Sequence, residues 1–488
     1  MLETTVSTAA QVRARLDHPI IDADGHFVEL GPLLDDEIVA YLEDEGGADL
    51  RDRYREIGRP FDTSVAVGGR DDATVRREWR AMPSWWGWQC RNTRDRATAH
   101  LPRLLYERLD EMGIDFTILY PSMALGLLEI PDADVAASVA KAVNRWIGRL
   151  YAPYADRMAV GAIVPMHDPD HAVAVLRHAV GELGFKAIVM TGHARRFLDA
   201  GAGDGTGASP RPYRLDTFGI DSDHDYDPFW ATCVELGVAP VSHSSLQPHR
   251  VTRSISSYVY NHVGGLAAGH ESLCKSLFLG GVTRRFPTLR VGFLEGGVAW
   301  ACSLLADLVG HWEKRNGHAI RDLDPAQLDV DALLEYLQEY GDADVQRQLH
   351  RLREYFSRPA AAPAVLDEFA ACRIERAEDI RGLFEPSFYF GCEADDPLIA
   401  WAFATSVNAL GARLRPIFGS DISHWDVPDM TEPVAEAWEL VERGTIGEPE
   451  FRELTFLNPV RLHVGMNPDF FRGTVCEDAV SAAAASLS

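Results

Sequence analysis

The sequence predicts an α/β chain wound as a (β/α)8 barrel, the TIM-barrel architecture, with large insertions. Three observations predict it. Eight short apolar runs alternate with longer amphipathic stretches, as repeated βα units do. Most runs are apolar at consecutive positions, the pattern of parallel strands covered on both faces. Polar residues gather where these runs end, and in a barrel the strand C-termini form one face, where active sites lie.

The strands are expected, in order, at Ile20–Ala23, Phe116–Tyr120, Ala159–Val164, Ala187–Met190, Ala239–Ser242, Arg290–Leu294, Phe388–Phe390 and Pro416–Phe418. Between them Ala133–Tyr151, His171–Leu183 and His270–Arg285 carry helical periodicity. A minimal barrel needs roughly 250 residues, and the chain has 488. A single metal-dependent barrel domain over residues 18–465 absorbs the excess in insertions at about 40–105, 194–228 and 315–385, with residues 466–488 as a C-terminal tail. The third insertion contains a helical pattern at Val345–Phe356.

Composition excludes several classes. Asp and Glu number 73 against 47 Lys and Arg, a formal charge of −26. Such a chain repels phosphate, so neither nucleic acid nor an anionic membrane surface is an expected partner. No apolar run is long enough to span a bilayer and no secretory h-region opens the sequence. Seven cysteines without a CxxC suit a reducing cytoplasm rather than a disulfide framework. Composition leaves oligomer formation open.

Four strand ends carry the chemistry. The first closes in Asp22-Ala-Asp24-Gly-His26, where a period of two places Asp24 and His26 on one side. Asp22 lies deeper and reads as structural. The fifth strand ends at His243, the sixth at Glu295 before Gly296-Gly297, and the eighth at Asp421 in Phe-Gly-Ser-Asp421-Ile-Ser-His424-Trp425-Asp426. Single imidazoles and carboxylates converging on one mouth make a metal site. His262, in a glycine-flanked loop, is a further expected ligand, which gives Asp24, His26, His243, His262, Glu295 and Asp421 as the metal set. An oxygen-rich set with some imidazole suits iron or manganese better than zinc. Glu295 and His424 are the candidate catalytic base or acid. Glu29, His270 and Glu393 are placed around the metal or against substrate. Trp85, Trp86 and Trp88, in the first insertion, are expected to form an apolar lid over the mouth. Lys186 sits at the N-terminal end of its strand and reads as structural.

With these residues in view, the chain resembles the amidohydrolase-related TIM-barrel superfamily. The resemblance rests on Ile20-Ile-Asp-Ala-Asp24-Gly-His26, Arg108-Leu-Asp-Glu-Met-Gly-Ile-Asp115, Tyr120-Pro-Ser, Gly184-Phe-Lys-Ala, Gly280-Gly-Val-Thr-Arg-Arg-Phe-Pro-Thr-Leu-Arg290, Phe418-Gly-Ser-Asp421 and Asn458-Pro-Val-Arg461-Leu462. Two departures stand out: Asp24-Gly-His26 replaces the usual His-x-His, and Glu295 replaces the usual sixth-strand His. The altered set is similar to the branch of non-heme diiron monooxygenases that includes a diterpenoid hydroxylase. That resemblance implies two Fe ions, O2, an external electron donor, and hydroxylation of an unactivated carbon on a large apolar, terpenoid-like, CoA-linked substrate. The alternative is a Zn- or Mn-dependent hydrolase or decarboxylase of a small molecule. No G-x-G-x-x-G follows a strand and no flavin signature is present, so neither an NAD nor a flavin site is expected.

Overall fold

The structure, a computed structural model, describes residues 8–57, 72–84, 90–198, 212–244, 246, 249, 251–358 and 365–483. Eight strands form one sheet in chain order: β1 (Ile21–Phe27), β2 (Phe116–Pro121), β3 (Met158–Val164), β4 (Ala187–Met190), β5 (Pro240–Ser242), β6 (Val291–Phe293), β7 (Phe388–Cys392) and β8 (Pro416–Phe418). Every neighbouring pair is parallel. The expected order of strands is the observed one, with ends shifted by a few residues. Helices cover the outside. The longest of the regular crossover helices, Ala133–Tyr151, buries Val135, Val139, Val143 and Ile147 and starts at Asp132, which accepts a bond from Val135 N at 3.2 Å. Chain order, parallel pairing and exterior helices make this a (β/α)8 barrel.

The seam between β1 and β8 closes without a ladder. His26 N donates to Ile422 O and Asp421 N donates to Asp24 O, each at 3.0 Å. Beneath them Asp22 is fully buried and accepts from Ser420 N (2.9 Å), Ser420 Oγ (2.7 Å), Thr117 Oγ1 (2.7 Å) and Asp24 N (3.2 Å). One carboxylate therefore joins three strand ends, confirming Asp22 as structural. Asp22→Ala is expected to lower stability by about 3 kcal/mol, since each buried donor left without an acceptor costs ~1–3 kcal/mol. Thermal unfolding checks this; an unchanged midpoint would mean the seam is held elsewhere.

The insertions have structure of their own. Within the insertion at 194–228, Ala194–Phe197 and Tyr213–Asp216 pair as an antiparallel ribbon. Helices at Gly31–Ile57, Asp72–Glu78 and Thr93–His100 follow β1, and Val330–Tyr340 and Ala343–Phe356 precede β7. The tail is no loose appendage: Phe470 and Phe471 are buried with ring centroids 6.5 and 5.4 Å from Phe116, and a helix runs over Glu477–Ala483. Lys186 Nζ donates to the carbonyls of Asp469 and Phe470 at 3.0 and 2.7 Å, which fastens this tail to the barrel floor. Cys233, Cys274, Cys302, Cys372, Cys392 and Cys476 are free thiols. Among the described residues no helix is long and apolar enough to cross a membrane.

Candidate metal centre

The strand ends are shaped to aim side chains inward. In β1 the pairing register shifts between Asp22 and Gly25, and such an irregularity re-aims the residues beyond it. Gly25 permits it: a Cβ there would lie 2.6 Å from Asp22 Oδ2 and 2.7 Å from Thr117 Oγ1. Beyond β6 and β8 the backbone turns left-handed at non-glycine residues, with φ of 58° at Glu295, 49° at Asp421 and 73° at Ser423. These conformations cost energy for an L side chain and recur where a site dictates the direction of a residue.

The outcome is a compact group of donors. His243 Nε2 lies 3.1 Å from His26 Nε2, 3.2 Å from Glu295 Oε2 and 3.9 Å from Asp24 Oδ1. His26 Nε2 is 3.3 Å from Asp421 Oδ1 and 3.7 Å from Asp24 Oδ1. Asp24 Oδ1 and Asp421 Oδ1 are buried without a hydrogen-bond partner. Four donors around one divalent ion, with bonds of roughly 2.0–2.2 Å, stand about 3–3.5 Å apart. Asp24, His26 and His243 offer atoms within 4.8 Å of one another, and Asp421 Oδ1 adjoins them at 3.3 Å from His26 Nε2. The two bare carboxylate oxygens are what a cation would satisfy.

The electrostatics agree. Burial pushes the Asp24 carboxyl well above its ordinary range and that of Asp421 up to about 7. A cation would reverse both shifts. Burial, with the neighbouring His243 and His424, holds His26 well below 6.5, so it is neutral and free to ligate. At Glu295 burial works against ionisation, but the hydrogen bond from His243 prevails and holds the carboxyl down to about 2. At His243 burial is outweighed by Glu295 and Asp24, which lift the imidazole to about 9, and an ion bound at Nε2 would take the place of that proton.

A second group adjoins the first. Glu295, Asp421, His424 and Asp426 each offer an atom within 4.8 Å of the others. His424 Nδ1 is 2.9 Å from Asp421 Oδ2, and there too the Asp421 charge outweighs burial and lifts the imidazole to about 9.

The remaining expected residues fall in different places. His262 stays outside the donor set: its Nε2 is 3.7 Å from Asp426 Oδ2, and its ring stacks on Tyr258 with centroids 5.2 Å apart. It ends a five-residue helix, Tyr258–His262. Glu29 accepts from Met123 N and Ala124 N at 3.0 and 2.8 Å and so fixes the loop after β2. His270 is fully buried and its Nε2 lies 2.6 Å from Leu294 O, directly behind Glu295. Glu393 sits on the rim, its carboxyl pushed up to about 8 by partial burial and by the Glu295 and Asp421 charges. Trp85, Trp86 and Trp88 lie outside the described residues.

Sequence reasoning passed over Asp426, Tyr258 and Trp425. Asp426 stood in the quoted β8 motif. Trp425 packs against His424 and Tyr258 at centroid distances of 4.7 and 5.7 Å, so aromatic rings flank the mouth.

Comparison with known proteins fixes the lineage. The chain matches the amidohydrolase family over residues 21–462. Curated relatives include the gamma-resorcylate decarboxylase of Rhodococcus jostii (strain RHA1), 32% identical over 130 residues, and that of Rhizobium radiobacter, 28% identical over 130. Each match takes in 27% of this chain and 35% of the relative, so the chain spans about a third of the length of these proteins. Among solved structures, the dihydroxybenzoic acid decarboxylase of Polaromonas sp. JS666, holding manganese and 2-nitroresorcinol, superposes at a TM-score of 0.46 with 16% identity, covering 91% of this chain and 97% of that one.

These relatives overturn the oxygenase expectation. The matched curated proteins are decarboxylases, which lose CO2 rather than insert oxygen, so the diiron monooxygenase assignment falls, and with it O2, an electron donor and a CoA-linked terpenoid as partners. Two carboxylate-for-histidine departures were read as a change of chemistry; Asp24 and Glu295 both face His243 Nε2, at 3.9 and 3.2 Å. The two-iron expectation has no support beyond the count of donors. From its matched span, residues 21–462, the chain belongs to the amidohydrolase family.

Proposed function

We propose that the chain is a divalent-metal-dependent decarboxylase of a small hydroxylated aromatic acid. The observation that carries this is the convergence of Asp24, His26, His243 and Asp421, with two buried carboxylate oxygens lacking any other partner. Zinc and manganese both suit this set of two imidazoles and two carboxylates. When bound, such an ion polarises a substrate carboxylate and an adjacent hydroxyl as a Lewis acid.

The side chains supply the rest. Glu295, ionised and 3.2 Å from His243, accepts the proton of the substrate hydroxyl. His424, kept protonated by Asp421, donates a proton to the ring carbon as the bond to CO2 breaks, and its partly exposed edge takes a proton back from solvent. Trp425 and Tyr258 present flat apolar faces to an aromatic ring. The matched relatives act on gamma-resorcylate, which supports this substrate class.

The test is CO2 release from 2,6-dihydroxybenzoate and related hydroxybenzoates. Activity is expected to vanish with a chelator and return with Mn2+ or Zn2+. Hydrolysis of lactones or amides without CO2 release from any hydroxybenzoate would replace this reading with a hydrolase.

A further inference from the structure

A second cluster of metal-binding side chains lies one strand away from the centre just described. Glu129 ends the short helix after β2, His193 follows β4 by three residues, and His249 comes from the segment after β5. Each offers one ligand atom, and the three atoms lie within 4.8 Å of one another. His193 Nε2 is 3.6 Å from Glu129 Oε1, and the two imidazole rings meet edge to face with centroids 4.9 Å apart.

Two details separate this group from a chance gathering. His193 is only 3% exposed, yet its Nε2, the nitrogen nearest the Glu129 carboxylate, is buried without a hydrogen-bond partner. A bare buried nitrogen costs free energy that a ligand would recover. The partners are also oriented from outside. Arg195 Nε lies 3.5 Å from Glu129 Oε2 and leaves Oε1 toward His193. Tyr213 OH is 3.0 Å from His249 Nδ1, which leaves Nε2 of that ring for a ligand. Outer contacts of this kind fix which atom a ligand residue presents.

We infer that Glu129, His193 and His249 form a second, separate site for a zinc-class divalent ion, with an open fourth position. Two imidazoles and one carboxylate are a familiar donor set for zinc with a free coordination place. Burial, reinforced by neighbouring positive charge, pushes His193 down to about 3 and His249 down to about 4, so both are unprotonated at neutral pH. Arg195 offsets part of the Glu129 charge, so the affinity expected is about micromolar rather than that of a closed structural site. The ion would bind together the loops after β2, β4 and β5, clamping one side of the barrel mouth. This site does not depend on the decarboxylase reading.

The test is equilibrium dialysis of the full chain against zinc through the micromolar range. Wild-type protein is expected to hold one zinc per chain more than His193→Ala or His249→Ala, with affinity at the second site falling ~100-fold. Glu129→Gln, at a half-exposed position, alters no packing and is expected to weaken the same site, so it decides the matter if His193→Ala does not fold. His243→Ala separates the two centres: it should lose the strand-end ion and retain this one. Equal zinc in wild type, His193→Ala, His249→Ala and Glu129→Gln would overturn the inference, as would loss of both ions in His243→Ala.

Discussion

His243→Ala is expected to strip the strand-end metal and lower CO2 release by about 10³-fold or more, the equivalent of the several kcal/mol that a Lewis acid contributes. His243 Nε2 is the most central atom of the group, within 3.9 Å of His26, Glu295 and Asp24 donors. No neighbour can take its place, because each already faces the same point from another strand. Metal analysis and turnover should therefore fall together. Full metal loading in this variant would refute the ligand assignment.

His424→Ala should have the opposite signature: turnover down by ~10²–10⁴, the usual contribution of a positioned acid, with metal content close to wild type. The imidazole touches Asp421 through Oδ2, while the oxygen facing His26 is Oδ1. Removing His424 leaves the metal-facing oxygen in place. Asp421 loses the neighbour that favours its ionised form, but the ion supplies that charge instead. Measurement of kcat beside metal stoichiometry distinguishes the two variants. If His424→Ala loses its metal, the residue is a ligand rather than a proton donor; unchanged turnover would remove it from the chemistry.

The barrel was legible because its strands are buried on both faces. Runs such as Ala187–Met190 and Ala159–Val164 carry no polar side chain, the pattern of a central strand. The ribbon at Ala194–Phe197 was not legible, since Arg195 and Arg196 break its apolar pattern and each strand has four residues. That Asp24, His26, His243, Glu295 and Asp421 converge at one end of the barrel was legible because position along a strand fixes which face of the barrel a residue reaches. His262 was expected in a loop but ends a five-residue helix, and its Nε2 lies 3.7 Å from Asp426 Oδ2 instead of in the group around His243. Glu129 and His249, which also lie outside the strands, reach His193 from two other segments. The choice between oxygenation and CO2 loss was beyond these residues, because both chemistries employ carboxylates and imidazoles around a metal.

Glu295, Asp421 and Ser423 hold left-handed backbones that glycine would adopt freely. Each costs roughly 1–2 kcal/mol in an L residue. Selection for folding alone would therefore favour glycine at these places, and selection for chemistry opposes it. Each of these left-handed residues therefore takes some stability from the ends of β6 and β8. A descendant released from catalysis would relax first at the ends of β6 and β8, becoming a tougher and inert protein.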